Sequence, residues 1–394
     1  MTAVSVAHTL KHFQTGAMSI IYAVLLVDLD LSLSTIGIIS ATQNATAGYL
    51  QGASGFLTRY FPRRVIMGVG HAILGVTTLI TGTSNSLLEL VGYRGAFGAA
   101  HSTHHPIGTS IISDGYSSDT RGKALGIHIS AGHLGQALAP ILVAPLILFI
   151  GWRGALGILA LPSIILGVGL FLLLGGSNPI RLEGNKRRVT IRPILQLFRQ
   201  RNITIIVVAQ MILMGGRGFA LIATFFPIYM VQGLGFPLGT TGALFSIVSA
   251  GGIVAPLVFG PLSDRIGRKR VILLSVALVT PVTAGFLTFH DPFSLAVLLG
   301  LFGIFSFAVP PVLQSFLADV SDSTQRDMTF GLFFTLGFGI VSVWIPVFGF
   351  LIEAFGFGAL FVGMMVLQVA GGGIFALAKE KDPRVSTRAE RNRD

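Results

Sequence analysis

Twelve apolar runs, each long enough to cross a bilayer and separated by short polar segments, constrain this sequence more than any other feature. They lie near 5–28, 34–57, 64–82, 86–112, 122–149, 154–175, 203–231, 239–262, 270–289, 293–318, 328–351 and 356–378. A membrane helix needs about 20 residues, so twelve crossings use roughly 240 positions and leave the remainder for loops and tails. Only 11% of the 394 residues are charged and the mean hydropathy is +0.79, which excludes a soluble globule of this size. The runs do not alternate apolar with polar residues, which excludes an outer-membrane barrel. Fifty glycines fit helices packed backbone to backbone. The chain has no cysteine, hence no disulfide, no thiolate metal site and no cysteine nucleophile. The first run is too long for a cleaved signal peptide and lacks a small-residue cleavage site, so it is expected to be a retained signal anchor.

A net charge of +11 would suit a nucleic-acid partner, but its distribution says otherwise. Of 27 basic residues, 23 fall in loops and tails on one side of the predicted spans, against Arg153 alone on the other. Lys11, Arg94 and Arg217 remain inside spans. The bias toward one side places both termini in the cytoplasm and makes the basicity a topology signal, leaving no nucleic-acid partner. The expected location is the plasma or inner membrane, as a multi-pass protein.

The segment Gly260-Pro-Leu-Ser-Asp-Arg-Ile-Gly-Arg-Lys-Arg270 recurs in weaker form at Gly55-Phe-Leu-Thr-Arg-Tyr-Phe-Pro-Arg-Arg64, 205 residues earlier. The same offset maps Gly37 onto Gly242, Arg63 onto Arg268, Arg121 onto Arg326 and Gly151 onto Gly356. A constant offset predicts an all-α membrane protein of twelve helices in two pseudo-symmetric six-helix bundles. The expected division is a bundle over 1–175, a cytoplasmic linker over 176–201, a second bundle over 202–378 and a basic tail over 379–394.

On these residues the chain resembles the major facilitator superfamily. The Gly260–Arg270 loop matches the family's signature between the second and third helices of a half, Arg94 with Gly98 its fourth-helix pattern, and Gly135, Ala139 and Pro140 a degraded glycine-proline motif of exchangers. Gly151-Trp152-Arg153 looks like the usual entry to the sixth helix. The resemblance implies alternating access about a midplane substrate site. It also implies a cytoplasmic gate in which Asp264, followed by Arg265 and Arg268, docks across the halves near Arg121, at the start of the fifth helix. The N-terminal copy carries Arg59 where the family has Asp, and the opposing segment carries Asp322, Arg326 and Asp327. This predicts a charge-swapped latch of Arg59 with Asp327 or Asp322; the alternative for Arg59, and for the loop cations, is solvent or lipid phosphate.

Ionisable groups inside spans are costly and mark pathways. None of the sixteen carboxylates is mid-span, which removes the usual residue of a cation cavity. Arg217 lies mid-span within Gly215-Gly-Arg-Gly218, and its repeat counterpart is His12. His8, Lys11, His12 and Thr15 share one helical face, and Arg94, His101 and His105 lie within about 20° of a common line. Each has a plain alternative: Lys11 can snorkel to headgroups, Arg94 can pair with Asp28 or Glu89, and His128 and His133 can serve as helix-to-helix hydrogen bonders. The candidate substrate-binding set is Arg217, Arg94, His12, Lys11, His101, His105 and Tyr22.

Guanidinium forks suit carboxylates and phosphonates. The expected function is secondary active transport of a small organic anion, with a coupling proton carried by histidine, lipid contacts, no cofactor and a monomeric chain. The competing reading is proton-driven efflux of lipophilic or drug-like compounds in a pocket of Phe13, Met18, Tyr22, Phe225, Phe226 and Tyr229. A metal-dependent intramembrane enzyme is disfavoured, because His104 and His105 diverge by about 100° on one helix and no mid-span carboxylate completes a site. No phosphate-binding Gly-x-x-x-x-Gly-Lys-Ser/Thr loop occurs, so no ATPase drives transport.

Overall fold

The computed structural model describes residues 2–58, 60–173, 196–321 and 326–380. Among them the regular structure is helical, without strands. In chain order the helices are α1 (Thr2–Asp28), α2 (Leu33–Leu57), α3 (Arg63–Thr81), α4 (Leu87–His101), α5 (His104–Gly115) and α6 (Ser118–Leu173). The second half continues with α7 (Arg201–Arg217), α8 (Phe219–Ile228), α9 (Leu238–Ile266), α10 (Arg268–Gly285), α11 (Pro292–Val320), α12 (Arg326–Phe355) and α13 (Gly358–Ala376).

These elements form the twelve expected spans, with three departures in continuity. The fourth span is broken between α4 and α5, where Ser102 and Thr103 turn their hydroxyls onto the carbonyls of Ala99 and Ala100 at 2.7 and 2.8 Å. Side-chain competition of this kind weakens a helix from within. The seventh span is broken at Gly218, whose φ of −65° and ψ of 130° are extended. A five-residue π turn, Tyr229–Gly233, ends that span. The fifth and sixth spans run together as α6 with a single non-helical residue, Gly151, at φ 71°. Most of the expected linker and tail lies outside the described residues.

The two halves repeat one another in detail. Gly151 and Gly356, 205 apart, both have positive φ (71° and 77°), and so do Asp30 and Gly235 (49° and 70°) at the same offset. Arg63 binds Asp114 at 2.5 Å, and the offset maps that pair onto Arg268 and Asp319, which meet at 3.0 Å. Within each half the spans pack closely: α1 and α3 lie against α6, α2 against α4, α9 and α10 against α11, and α7 against α13.

The halves meet along α2 with α12 and α6 with α9. A Cβ on Gly37 would come within 3.0 Å of Pro346 Cα, and one on Gly242 would run into the Pro140 carbonyl, so both contacts require glycine. The offset relates Gly37 to Gly242 and Pro140 to Ile345, making the two interfaces copies of one another. These close approaches, with Gly349 against Leu33 and the Ser34 amide donating to Glu353 at 2.7 Å, lie toward the end remote from the basic loops. That end is tied further: Trp152 Nε1 donates to Asp28 at 2.7 Å, and Arg153 donates to the Ser84 carbonyl at 2.7 Å.

Outward-facing side chains are apolar, as lipid contact requires; Leu148, Phe149 and Phe350 are 69, 85 and 63% exposed. Outside the membrane, Asp291 caps α11 by accepting the Ser294 amide at 2.9 Å. Its carboxyl is held below its ordinary value by the hydroxyl and amide of Ser294.

Candidate functional site

Arg94 lies on α4 with its side chain wholly inside the protein. One turn later, Gly98 lets α4 close on α2, for a Cβ there would run into the Gln43 carbonyl and the Thr46 hydroxyl. The approach brings the Gln43 side-chain oxygen to Arg94, which donates to it from Nε at 3.0 Å and also from Nη2. Phe97 packs its ring 4.0 Å from the guanidinium carbon. Tyr22 faces both Arg94 and Ser40, and Ser40 reaches Thr224 of α8 at 2.8 Å. Arg94 is therefore linked by side chains to the opposite half. The pairing with Asp28 or Glu89 is not made: Asp28 accepts from Trp152, and Glu89 accepts from the Asn85 amide at 2.7 Å.

Arg217 ends α7 at the break, 4% exposed. Gly215 and Gly216 let α12 and α13 approach this end; a Cβ on either would press on Trp344, Met364 or Gln368. Arg217 donates to Gln210 Oε1 at 2.9 Å and to the Ser306 carbonyl at 3.4 Å, while its Nε is buried without a partner among the described residues. Each half thus holds a buried arginine against a glutamine. A neutral partner orients the guanidinium and leaves its charge uncompensated.

Lys11 does not snorkel. Its side chain is fully buried and Nζ has no hydrogen-bond partner among the described residues. Around it stand histidines from five helices: His8 and His12 of α1, His71 of α3, His101 of α4, His104 and His105 of α5, and His128 of α6. His12 lies 5.5 Å from His105 and 6.1 Å from His101 between ring centroids, so these three candidates converge. All three are half-buried. His133 instead faces the other half, against Phe307 and beside Gly252.

Asp264 and Arg265 are exposed at the end of α9. Arg268 lies 3.6 Å from Asp264 and 3.0 Å from Asp319, both in its own half. Glu380 accepts the Arg268 amide at 2.6 Å, placing a carboxylate on the α10 N-terminus, and Lys269 donates to the Ala376 carbonyl at the end of α13 at 2.6 Å and to the Ala378 carbonyl just beyond it at 2.7 Å. The signature loop, which joins α9 to α10, thereby ties them to α11 and to the end of α13. Arg59 lies outside the described residues, as do the side chains of Arg121, Asp322, Arg326 and Asp327, so the expected latch falls outside them too.

Sequence reasoning missed Gln43, Gln210, His71, Asp319 and Glu380. The offset maps Asp114 onto Asp319, but the pairing of either with its arginine is visible only in the structure. The glutamines carry no charge signal and emerge only from packing.

The sequence model of the Major Facilitator Superfamily matches residues 4–237 and 211–394. The probable sulfoacetate transporter SauU of Cupriavidus necator is 25% identical over 385 residues, covering 88% of both chains. The fosmidomycin resistance protein of Escherichia coli is 24% identical over 361 residues, covering 89% of this chain and 86% of that one. A solved structure of a variant of the nucleoside transporter NupG superposes with a TM-score of 0.83 at 17% identity, over 96% of this chain and 99% of that chain. With the family model spanning both halves, twelve repeat-related spans and lipid-facing apolar surfaces, this chain belongs to the Major Facilitator Superfamily and is a multi-pass membrane transporter.

Proposed function

We propose that this chain moves a small organic anion, a carboxylate or phosphonate-like compound, by secondary active alternating access. The observation that carries the reading is Arg217, buried at the break of the seventh span and held only by neutral acceptors among the described residues. Such a guanidinium keeps bidentate donors and an uncompensated charge for an anion arriving from solution. Arg94 supplies a second fixed charge from the other half, linked through Tyr22, Ser40 and Thr224 to α8, the helix that follows Arg217. Lys11 adds a third cationic group, and His12, His101 and His105 take the coupling proton. The sulfonate relative is in keeping with an anionic substrate.

With the basic loops assigned to the cytoplasm, the close approaches of the halves lie on the outer side, the arrangement of an inward-open state. Asp264, Arg265 and Arg121, with the Arg59 latch, act when that state closes. The efflux reading has less support: Met18, Tyr22, Phe225, Phe226 and Tyr229 are packed in the core, where Phe226 sits among Phe286, Phe302 and Phe361.

The direct test is a thermal-shift screen of detergent-purified protein against mono- and dicarboxylates, sulfonates, phosphonates, lipophilic cations and nucleosides. A ligand at 100 times its dissociation constant raises stability by about 2.7 kcal/mol. The expected result is stabilisation by anions alone, lost in Arg217→Ala; stabilisation by lipophilic cations and not by anions would overturn the reading.

A further inference from the structure

We propose that His8, His104 and His128 form a binding site for a late first-row divalent metal ion, of the class Zn²⁺, Co²⁺, Ni²⁺ and Cu²⁺, inside the N-terminal bundle. One ring nitrogen from each lies within 4.8 Å of the others, and the three residues come from α1, α5 and α6. Zinc to imidazole bonds of about 2.0–2.1 Å put donor nitrogens roughly 3.3 Å apart in a tetrahedron, so modest ring rotations close the site.

The second nitrogen of every ring is already held. His8 Nδ1 donates to the His128 carbonyl at 2.7 Å, which fixes the tautomer and leaves the lone pair on Nε2. His104 Nδ1 meets His71 Nε2 at 3.0 Å, and His128 Nδ1 meets the Ser5 hydroxyl at 3.3 Å. Outer partners of this kind orient the imidazoles of metal sites. The Nε2 atoms of all three rings are buried without a hydrogen-bond partner among the described residues, in residues only 3, 1 and 2% exposed. Three buried ring nitrogens without partners among the described residues are costly unless something binds them, and with Nδ1 protonated on each ring all three present lone pairs.

Gly108 leaves the room. A Cβ there would lie 3.4 Å from His104 Nε2 and 3.6 Å from His128 Nε2, so both atoms face the space the glycine opens. The donor set is imidazole alone, which suits zinc, copper, nickel and cobalt and is a poor match for magnesium or calcium. A second histidine group adjoins the first. His8, His12 and His105 make a second convergence within 4.8 Å, and His12 and His105 are half-buried. Lys11 stands in the same interior, and its charge opposes a dication. His104 and His105 diverge around one helix and do not share this metal; its three ligands come from three helices. Lys11, His12 and His105 border both sites, but none of the three proposed ligands belongs to the anion-binding set, and metal binding does not require that the chain transport an anion.

The test is titration of Co²⁺ into full-length protein, purified with a histidine-free affinity tag and washed with chelator. The expected result is one equivalent per chain with the visible d–d absorption of a low-coordinate, nitrogen-ligated cobalt centre, displaced by Zn²⁺. The His104→Ala/His128→Ala double variant is expected to lose that spectrum, while His290→Ala keeps it. His71 is a positioning residue, and His71→Ala should weaken binding about 10- to 100-fold. Lys11→Met should tighten it, which a hydrogen-bonded histidine network without metal would not do. Monodispersity on size exclusion reports folding; if the double variant fails to fold, the wild-type spectrum and the Lys11→Met shift decide. Substoichiometric cobalt in the wild type, a spectrum without nitrogen ligation, or equal binding by a folded double variant would overturn the proposal.

Discussion

Arg94 and Arg217 show how side chains that differ only in their neighbours come to matter. Both are buried, both donate to a glutamine, and neither meets a carboxylate among the described residues. A hydrogen bond to a charged group contributes about 1.5–3 kcal/mol, and its loss leaves the guanidinium unpaired. Gln43→Ala is therefore expected to lower unfolding stability by about 2 kcal/mol, visible as a reduced apparent Tm in detergent; an unchanged Tm would mean that Arg94 finds another acceptor. The exposed pairs behave differently. The Arg63 and Arg268 side chains are 15 and 24% exposed, but their carboxylate partners, Asp114 and Asp319, are 64 and 50% exposed. Ion pairs of this kind contribute at most about 1 kcal/mol. Asp114→Asn and Asp319→Asn should each shift the thermal midpoint little and by similar amounts.

At the scale of elements, the repeat places glycine at matched crossings of the two halves. Gly37 against Pro346 and Gly242 against Pro140 hold the same end of the molecule shut. Widening either crossing should favour the state open at that end. The absence of native cysteine gives a clean readout: labelling of Ser34→Cys by a membrane-impermeant maleimide should rise in Gly242→Leu and in Gly37→Leu alike. No rise in either variant would mean that these crossings do not set the closed state. The spans themselves were legible in the sequence because apolar length is a property of a single segment. Their interruptions were less so. The break at Gly218 is foreshadowed by Gly215, Gly216 and Gly218, whereas the break after His101 has only Ser102 and Thr103 to announce it. The histidine cluster was legible only in part, since His8 aligns with His12 on one predicted helix and His101 with His105 on another, but the two pairs, with His71 and His128, come together only through packing of α1, α3 and α6.

For the whole molecule, charge location carries the orientation. With the basic loops cytoplasmic, both termini should resist protease added outside intact cells and become cleavable once the membrane is opened; external cleavage of a C-terminal tag would reverse the assignment. The fold positions two buried arginines from opposite halves and leaves them with neutral partners, and the account of function rests on that arrangement. Flux into proteoliposomes tests it most directly, with wild type, Arg217→Ala and Arg217→Lys compared on the anion that stabilises the protein best. The account predicts transport by the wild type, loss of at least a hundredfold in Arg217→Ala, and partial retention in Arg217→Lys, which keeps charge but not the bidentate fork. Unchanged uptake kinetics in a folded, membrane-inserted Arg217→Ala would contradict it.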